Sequence, residues 1–234
     1  MAAVVNEGWG AAGVATAFAR ALAGACRAEA PFRHWLLTDA LPPGVAPALA
    51  ELHLPPPPAD TQGKRETHNA KRSYCNVENR HRFPVVDALA RAFQGRTIVD
   101  AVEQVCGLDL GGTSLRIEYC QDTEGFWLEP HTDIGAKRFT LIIGLSDGPD
   151  SAGWGTDLYD LDRRPVARSP YGCNRALAFV PSGDTWHGFE RRPIRGVRRS
   201  LIVNYVGSEW RSRDELAFPN AAIRQDGDRW SAPL

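Results

Sequence analysis

The chain has 234 residues, 43% hydrophobic and 24% charged, enough for one well-buried domain. Its formal net charge of -1 gives no overall attraction to nucleic acid or to an anionic membrane surface. Five scattered cysteines (Cys26, Cys75, Cys106, Cys120 and Cys173) include no CxxC pair, which argues against a disulfide framework or a zinc knuckle. No apolar run approaches the roughly 20 residues that span a bilayer, and the N-terminus lacks the pattern of a secretory signal. The expectation is a cytoplasmic enzyme or binding protein with neither a membrane nor a nucleic-acid partner.

In chain order, Val14, Phe18, Leu22 and Cys26 recur every four positions and predict a helix from Gly13 to Ala30, packed on the core from outside. Phe32 to Thr38 reads as a short strand, and Leu41 to Leu54 as a helix with Leu49 and Leu52 inward. Four prolines, Pro55 to Pro58, then force an extended segment. The polar stretch 59–82 is long for a loop in a compact domain and is expected to be a lid over a site. Helical periodicity returns at Val85 to Phe93 and at Thr97 to Cys106, ending at Gly107. After Gly111 short β-rich runs take over: Leu115 to Cys120, Phe126 to Leu128, Phe139 to Leu145, Ala176 to Val180 and Arg199 to Val206. The expected organisation is a single domain, 1–234. It comprises a mainly helical part (1–110), a β core that carries the chemistry (111–210) and a C-terminal tail (211–234).

Glu129-Pro130-His131-Thr132-Asp133 places an imidazole and a carboxylate two residues apart, a spacing that lets both reach one ion from a strand end. Asp184-Thr185-Trp186-His187-Gly188 offers a second imidazole. Two histidines and one carboxylate on one face of an octahedron form the ligand set of non-haem iron(II) oxygenases. A His-x-Asp alone occurs often by chance. The added signal is Gly196-Val197-Arg198-Arg199-Ser200, where period-2 alternation puts Arg198, Ser200, Ile202 and Asn204 on one strand face. An inward guanidinium presents a planar fork suited to a carboxylate.

This order of His-x-Asp, distal His and Gly-x-Arg-x-Ser resembles the 2-oxoglutarate/iron(II)-dependent dioxygenases, closest to their prolyl-hydroxylase-like branch. The resemblance runs from Leu115 to Val206, about 40% of the chain. It implies an α+β fold, with a double-stranded β-helix (jelly-roll, cupin-like) core and the N-terminal helices packed on its outside. It also implies Fe(II), 2-oxoglutarate and O₂ as cofactors. His131, Asp133 and His187 would be the iron ligands, and Arg198 and Ser200 would hold the far carboxylate of 2-oxoglutarate. Thr140 and Tyr119 would line the cosubstrate pocket, while Ile143 and Gly144 stand where many relatives carry a tyrosine. Halogenating members replace the acid by a small residue, so Asp133 implies hydroxylation, with succinate and CO₂ released; desaturation or ring formation are variants.

Trp154, in a Gly-rich turn, and Lys137 and Arg138 are candidate substrate contacts, and a turn-packing tryptophan or a solvated strand end would fit the sequence as well. Trp186 is expected to support His187 from the core. His34, His53, His68 and His81 have no partner at ligand spacing. The expected substrate is a small or amino-acid-like molecule, and nothing in the sequence speaks to the oligomeric state. Two other classes stay open: a cupin-like metal enzyme that does not use 2-oxoglutarate, and a ligand-binding barrel without turnover.

Overall fold

The computed structural model describes residues 9–54, 63, 72–133 and 135–224. Half of the expected lid, with His68, lies outside the described residues, as do the four prolines and the end of the tail. The first helix, α1 (Ala11–Ala23), is shorter than its periodicity suggests. It stops at Gly24, and the chain then turns into strand β1 (Cys26–Ala28), which leaves Cys26 exposed rather than on the apolar helix face. Strand β2 (His34–Leu37) pairs antiparallel with β1. The next helix, α2 (Val45–Ala50), covers only the middle of 41–54, because Pro42, Pro43 and a left-handed Gly44 precede it.

The described part of the polar stretch is ordered. Strand β3 (Ser73–Tyr74) is followed by helix α3 (Val77–Arg82), whose Asn76 side chain accepts from the Asn79 backbone N–H as an N-cap. Helices α4 (Pro84–Gln94) and α5 (Arg96–Cys106) match the expected pair, and α5 ends at Gly107 in the left-handed conformation that glycine adopts without strain. Phe18 of α1 meets Phe93 of α4 with ring centroids 4.9 Å apart.

The remaining strands are β4 (Ser114–Asp122), β5 (Leu128–His131), β6 (Lys137–Gly144), β7 (Asp157–Tyr159), β8 (Pro165–Arg168), β9 (Ala176–Phe179), β10 (His187–Phe189) and β11 (Arg198–Val206). They form two antiparallel sheets. The larger runs β1-β2-β9-β6-β11-β4-β3 and the smaller runs β5-β10-β7-β8. Leu158 of the small sheet packs on Leu177 and Phe179 of the large one, so the two sheets face each other.

The large sheet is buried on both sides, for two different reasons. One face (Leu115, Ile117, Phe139, Leu141, Leu201, Val203 and Tyr205) joins Phe18, Leu89, Phe93 and Val102 in the helix-side core. The Tyr205 hydroxyl donates to the Phe93 carbonyl at 2.5 Å, satisfying an acceptor in the last turn of α4. The opposite face carries Arg116, Glu118, Thr140, Arg198, Ser200 and Asn204, all buried. Polar side chains withdrawn from water cost free energy unless bonded. A sheet that turns a polar row inward has an interior that holds more than packing.

Candidate metal centre

Strands β5 and β10 are antiparallel neighbours, and His131 lies directly opposite His187 in their register. Their ring centroids are 4.3 Å apart. Asp133 follows two residues after His131, just past the strand end. The ligand atoms of His131, Asp133 and His187 all lie within 4.8 Å of one another, and this is the metal-ligating group found among the described residues. In each imidazole Nδ1 is 2.9 Å from a carbonyl two residues back, Glu129 O for His131 and Thr185 O for His187. A carbonyl can only accept, so Nδ1 carries the proton and Nε2 presents its lone pair. That outer hydrogen bond is the usual way a ligand histidine is fixed in tautomer and orientation. Phe179 of the large sheet packs on the His187 ring at 4.9 Å.

The Asp133 carboxylate is held from both sides. Lys137 Nζ donates to Oδ1 at 2.8 Å and Thr140 Oγ1 donates to Oδ2 at 2.6 Å. Burial alone would raise its pKa. The Lys137 charge, the neighbouring His187 and the two hydrogen bonds overcome that and hold the carboxyl far below the usual range. The acid is therefore ionised at neutral pH, as a metal ligand must be. Thr140 thus touches the candidate metal-ligating carboxylate itself. A cavity of about 420 Å³ opens beside Asp133, bounded by Leu108, Thr132, Lys137, Arg138, Val180 and Pro181. Arg138 lines it while pairing with Glu209 at 2.8 Å.

Arg198 and Ser200 share the inward face of β11, further along the strand from the metal than Asn204. Arg198 Nε donates to the Trp154 carbonyl at 2.8 Å, and one terminal nitrogen donates to Asp122 Oδ2 at 2.5 Å. The guanidinium lies 4.7 Å from the Phe189 ring and 5.1 Å from that of Tyr171. Among the described residues Ser200 Oγ is buried without a well-formed hydrogen bond, the Tyr171 hydroxyl being the polar group beside it. Such a hydroxyl beside a buried guanidinium is a place where an anion's oxygens would be satisfied.

Two expectations need correction. Tyr119 faces away from this interior. It pairs with Leu201, sits in the helix-side core and has its hydroxyl pushed up to about 12, with burial as the largest cause. Trp154 does not meet a substrate cavity either. It packs on Phe126, Phe189 and Ile194, with its indole N–H donating to the Pro193 carbonyl at 3.1 Å, so it props the far end under Arg198. Sequence reading missed Asp122 and Tyr171, and Lys137, a candidate substrate contact in the sequence, is instead buried against Asp133. Tyr171 fits because Gly144 has no side chain: a Cβ there would meet the Gly172 carbonyl at 2.4 Å and the Tyr171 ring at 3.2 Å. Its hydroxyl donates to the Arg199 carbonyl at 2.6 Å. Of the other histidines, His34 is a buried core residue bonded through Nδ1 to the Phe32 carbonyl, and His53 and His81 are exposed.

A dense charge cluster completes the interior wall. Glu118 pairs with Arg116 and, at 2.8 Å, with Arg72; Arg116 also reaches Glu215 at 2.5 Å. Burial pushes the Glu118 carboxyl up, but Arg116, then Arg72 and Lys137, outweigh it and hold the pKa at about 2. The unfolded-state value is near 4.3. This pair therefore stabilises the fold fully above about pH 4.3, and that stability is lost as pH falls toward 2. Urea unfolding followed from pH 7 to pH 3 should show a decline beginning below about pH 4.5 and reaching about 2 kcal/mol from this group at pH 3. Glu118→Gln should start less stable at neutral pH and lose much of that acid dependence.

No family model and no curated protein matches the sequence. Solved structures do match in shape. A prolyl-4-hydroxylase from Pseudomonas putida superposes with a TM-score of 0.53 at 16% identity, covering 83% of this chain and 94% of that one. A prolyl 4-hydroxylase structure from Phytophthora capsici gives 0.52 at 15% identity, over 75% of this chain and 59% of that longer one. At such identities the likeness is one of architecture alone: this chain shares the fold of these two prolyl-hydroxylase structures.

Proposed function

We propose that this protein is an Fe(II)- and 2-oxoglutarate-dependent oxygenase that hydroxylates a C–H bond of a small or amino-acid-like molecule. Its two sheets are read as a double-stranded β-helix within one domain, 1–234. The observation that carries the reading is the convergence of His131, Asp133 and His187 at the rim of a buried polar interior. The donor set, two Nε2 lone pairs and one ionised carboxylate, suits iron(II) and leaves positions open for a chelating cosubstrate and O₂. When bound, iron with 2-oxoglutarate and O₂ supplies the oxidising equivalents for hydroxylation, releasing succinate and CO₂.

The chain's own residues bind and orient. Thr185 and Glu129 carbonyls aim the imidazoles, and Lys137 with Thr140 holds the carboxylate. Arg198 and Ser200 receive the distal carboxylate of the keto acid, and Phe179 and Phe189 keep water from the space between. The cavity beside Asp133 has the volume of a small-ligand pocket. That size favours a metabolite or a free or tethered amino acid over a folded protein. The similar solved structures are named as prolyl hydroxylases, so an extended peptide entering one residue at a time is the neighbouring possibility. Among the described residues no helix is long and apolar enough to cross a membrane, and a cytoplasmic setting is proposed.

One observation favours a second reading. Arg198 already has a carboxylate partner in Asp122, which a cupin-like metal enzyme without 2-oxoglutarate would keep permanently. Two measurements separate the readings. Anaerobic protein with Fe(II) and 2-oxoglutarate should develop the weak visible charge-transfer band of the chelate. A metabolite screen should find compounds that stimulate succinate release and gain one oxygen by mass. Saturating iron and keto acid without the band would sink the first reading in favour of the second.

A further inference from the structure

Three inward side chains on three adjacent strands stand in one row beside the metal carboxylate. Asn204 of β11 is the direct cross-strand partner of Thr140 on β6 and of Arg116 on β4. All three are essentially inaccessible to water. Arg116 donates to Asn204 Oδ1 at 3.4 Å, Asn204 Nδ2 donates to Thr140 Oγ1 at 2.9 Å, and Thr140 donates to Asp133 Oδ2 at 2.6 Å.

The direction of this chain is set by chemistry alone. A guanidinium has only donors, so the amide must turn its oxygen toward Arg116. Its NH₂ then faces Thr140, and the same group donates to the Phe139 carbonyl at 3.3 Å, which agrees with that orientation. A hydroxyl that accepts from the amide has one proton left, and among the described residues the charged acceptor it reaches is Asp133. Arg116 is itself clamped by Glu118 and by Glu215 at 2.5 Å. It lies 4.5 Å from the Trp210 ring and 4.9 Å from that of Tyr74. The source of the polarity is therefore rigid.

We propose that Asn204 is a positioning residue for the metal centre: it fixes the Thr140 hydroxyl as a donor to Asp133 and so holds the carboxylate plane against the opposing pull of Lys137. The neighbours of Asn204 on this face, Ile202 and Ile142, show that an apolar side chain is accommodated one row away. Without the relay, Thr140 is free to rotate, and the ammonium on Oδ1 is the one remaining directed contact from these two residues. The carboxylate then swings toward Lys137. The inference rests on the metal-centre reading and is independent of 2-oxoglutarate.

The test is titration of the full-length apo protein with Co(II), read by its ligand-field absorption, whose position and intensity report coordination number. Wild type, Asn204→Leu, Thr140→Val, the double variant and Thr140→Ser are compared. Losing an outer partner of a metal ligand weakens affinity on the order of 10- to 100-fold. Asn204→Leu and Thr140→Val should each fall by that factor and share one altered spectrum. The double variant should fall no further than either single one, since both break the same relay. Thr140→Ser, which keeps the hydroxyl, should stay within about threefold of wild type with an unchanged spectrum. Should Asn204→Leu fail to fold, Asn204→Ser takes its place, and the near-isosteric Thr140→Val reports regardless. Wild-type affinity and spectrum in the Asn204 variant, or penalties that multiply in the double variant, overturn the relay while leaving the metal centre intact. Wild type that binds no Co(II) overturns both.

Discussion

His187→Ala should abolish metal binding at working concentrations and reduce turnover below detection. His187 is buried in the middle of the small sheet, pairing with β5 on one side and β7 on the other, so its Cα position is fixed by backbone bonds. Its Nδ1–H is committed to the Thr185 carbonyl, leaving Nε2 as one of three donor atoms. Removing a direct ligand costs more than the 10- to 100-fold typical of an outer partner. The matched control is His34→Ala. That imidazole is also buried, also on the inward side of the large sheet, and also bonded through Nδ1 to a carbonyl two residues back. It lies outside the ligand group. Calorimetric titration with Fe(II) or Co(II) should show wild-type stoichiometry for the His34 variant and no binding for the His187 variant. Equal behaviour of the two would mean that burial of an imidazole, rather than ligation, was being measured.

Arg198→Met should have two separable effects. The first is on the fold. Asp122 and Arg198 are both buried and bonded at 2.5 Å, and removing one partner of such a pair strands the other charge at about 3–5 kcal/mol. The second is on the cosubstrate. Loss of a buried charged donor to a carboxylate costs roughly 2–5 kcal/mol, which raises the KM for 2-oxoglutarate by about thirtyfold at the lower end and by roughly thousands at the upper end. Adding Asp122→Asn to Arg198→Met removes the stranded charge. Stability by urea unfolding should return most of the way to wild type, while the KM stays high. If the double variant recovers 2-oxoglutarate use together with stability, the guanidinium serves the fold and not the keto acid, and the second functional reading gains. The companion single variant Asp122→Asn then tells which side Asp122 takes, by whether it holds Arg198 in place or competes with the incoming carboxylate.

The candidate metal ligands could be picked out in the sequence because residue type, order and strand periodicity are all local properties. His131 and Asp133 are two apart, and a strand end delivers both to one side whatever lies elsewhere. The same alternation placed Arg198, Ser200 and Asn204 on one face, as the pairing of β11 shows. Applied consistently, it would also have placed Tyr119 with Leu115 and Ile117 and away from Arg116, Glu118 and Asp122. In this sheet strand parity, rather than the position matched in relatives, sets where Tyr119 points.

Lengths of the early helices were less legible. Propensity continues smoothly through 24–30 and 41–54, while a glycine, two prolines and a new strand pairing decide where each helix stops. What the chain by itself determined is a helical layer, a set of short strands and three donor side chains of the right kinds. What only the tertiary structure decided is who meets whom across long separations. Asp122 finds Arg198 76 residues away, Arg116 reaches Asn204 88 residues on, and Tyr171 enters over Gly144. Periodicity sets which face a side chain takes, but its partner there is chosen by sheet register and by burial. A buried charge or amide must be satisfied by whatever the folded chain brings within reach.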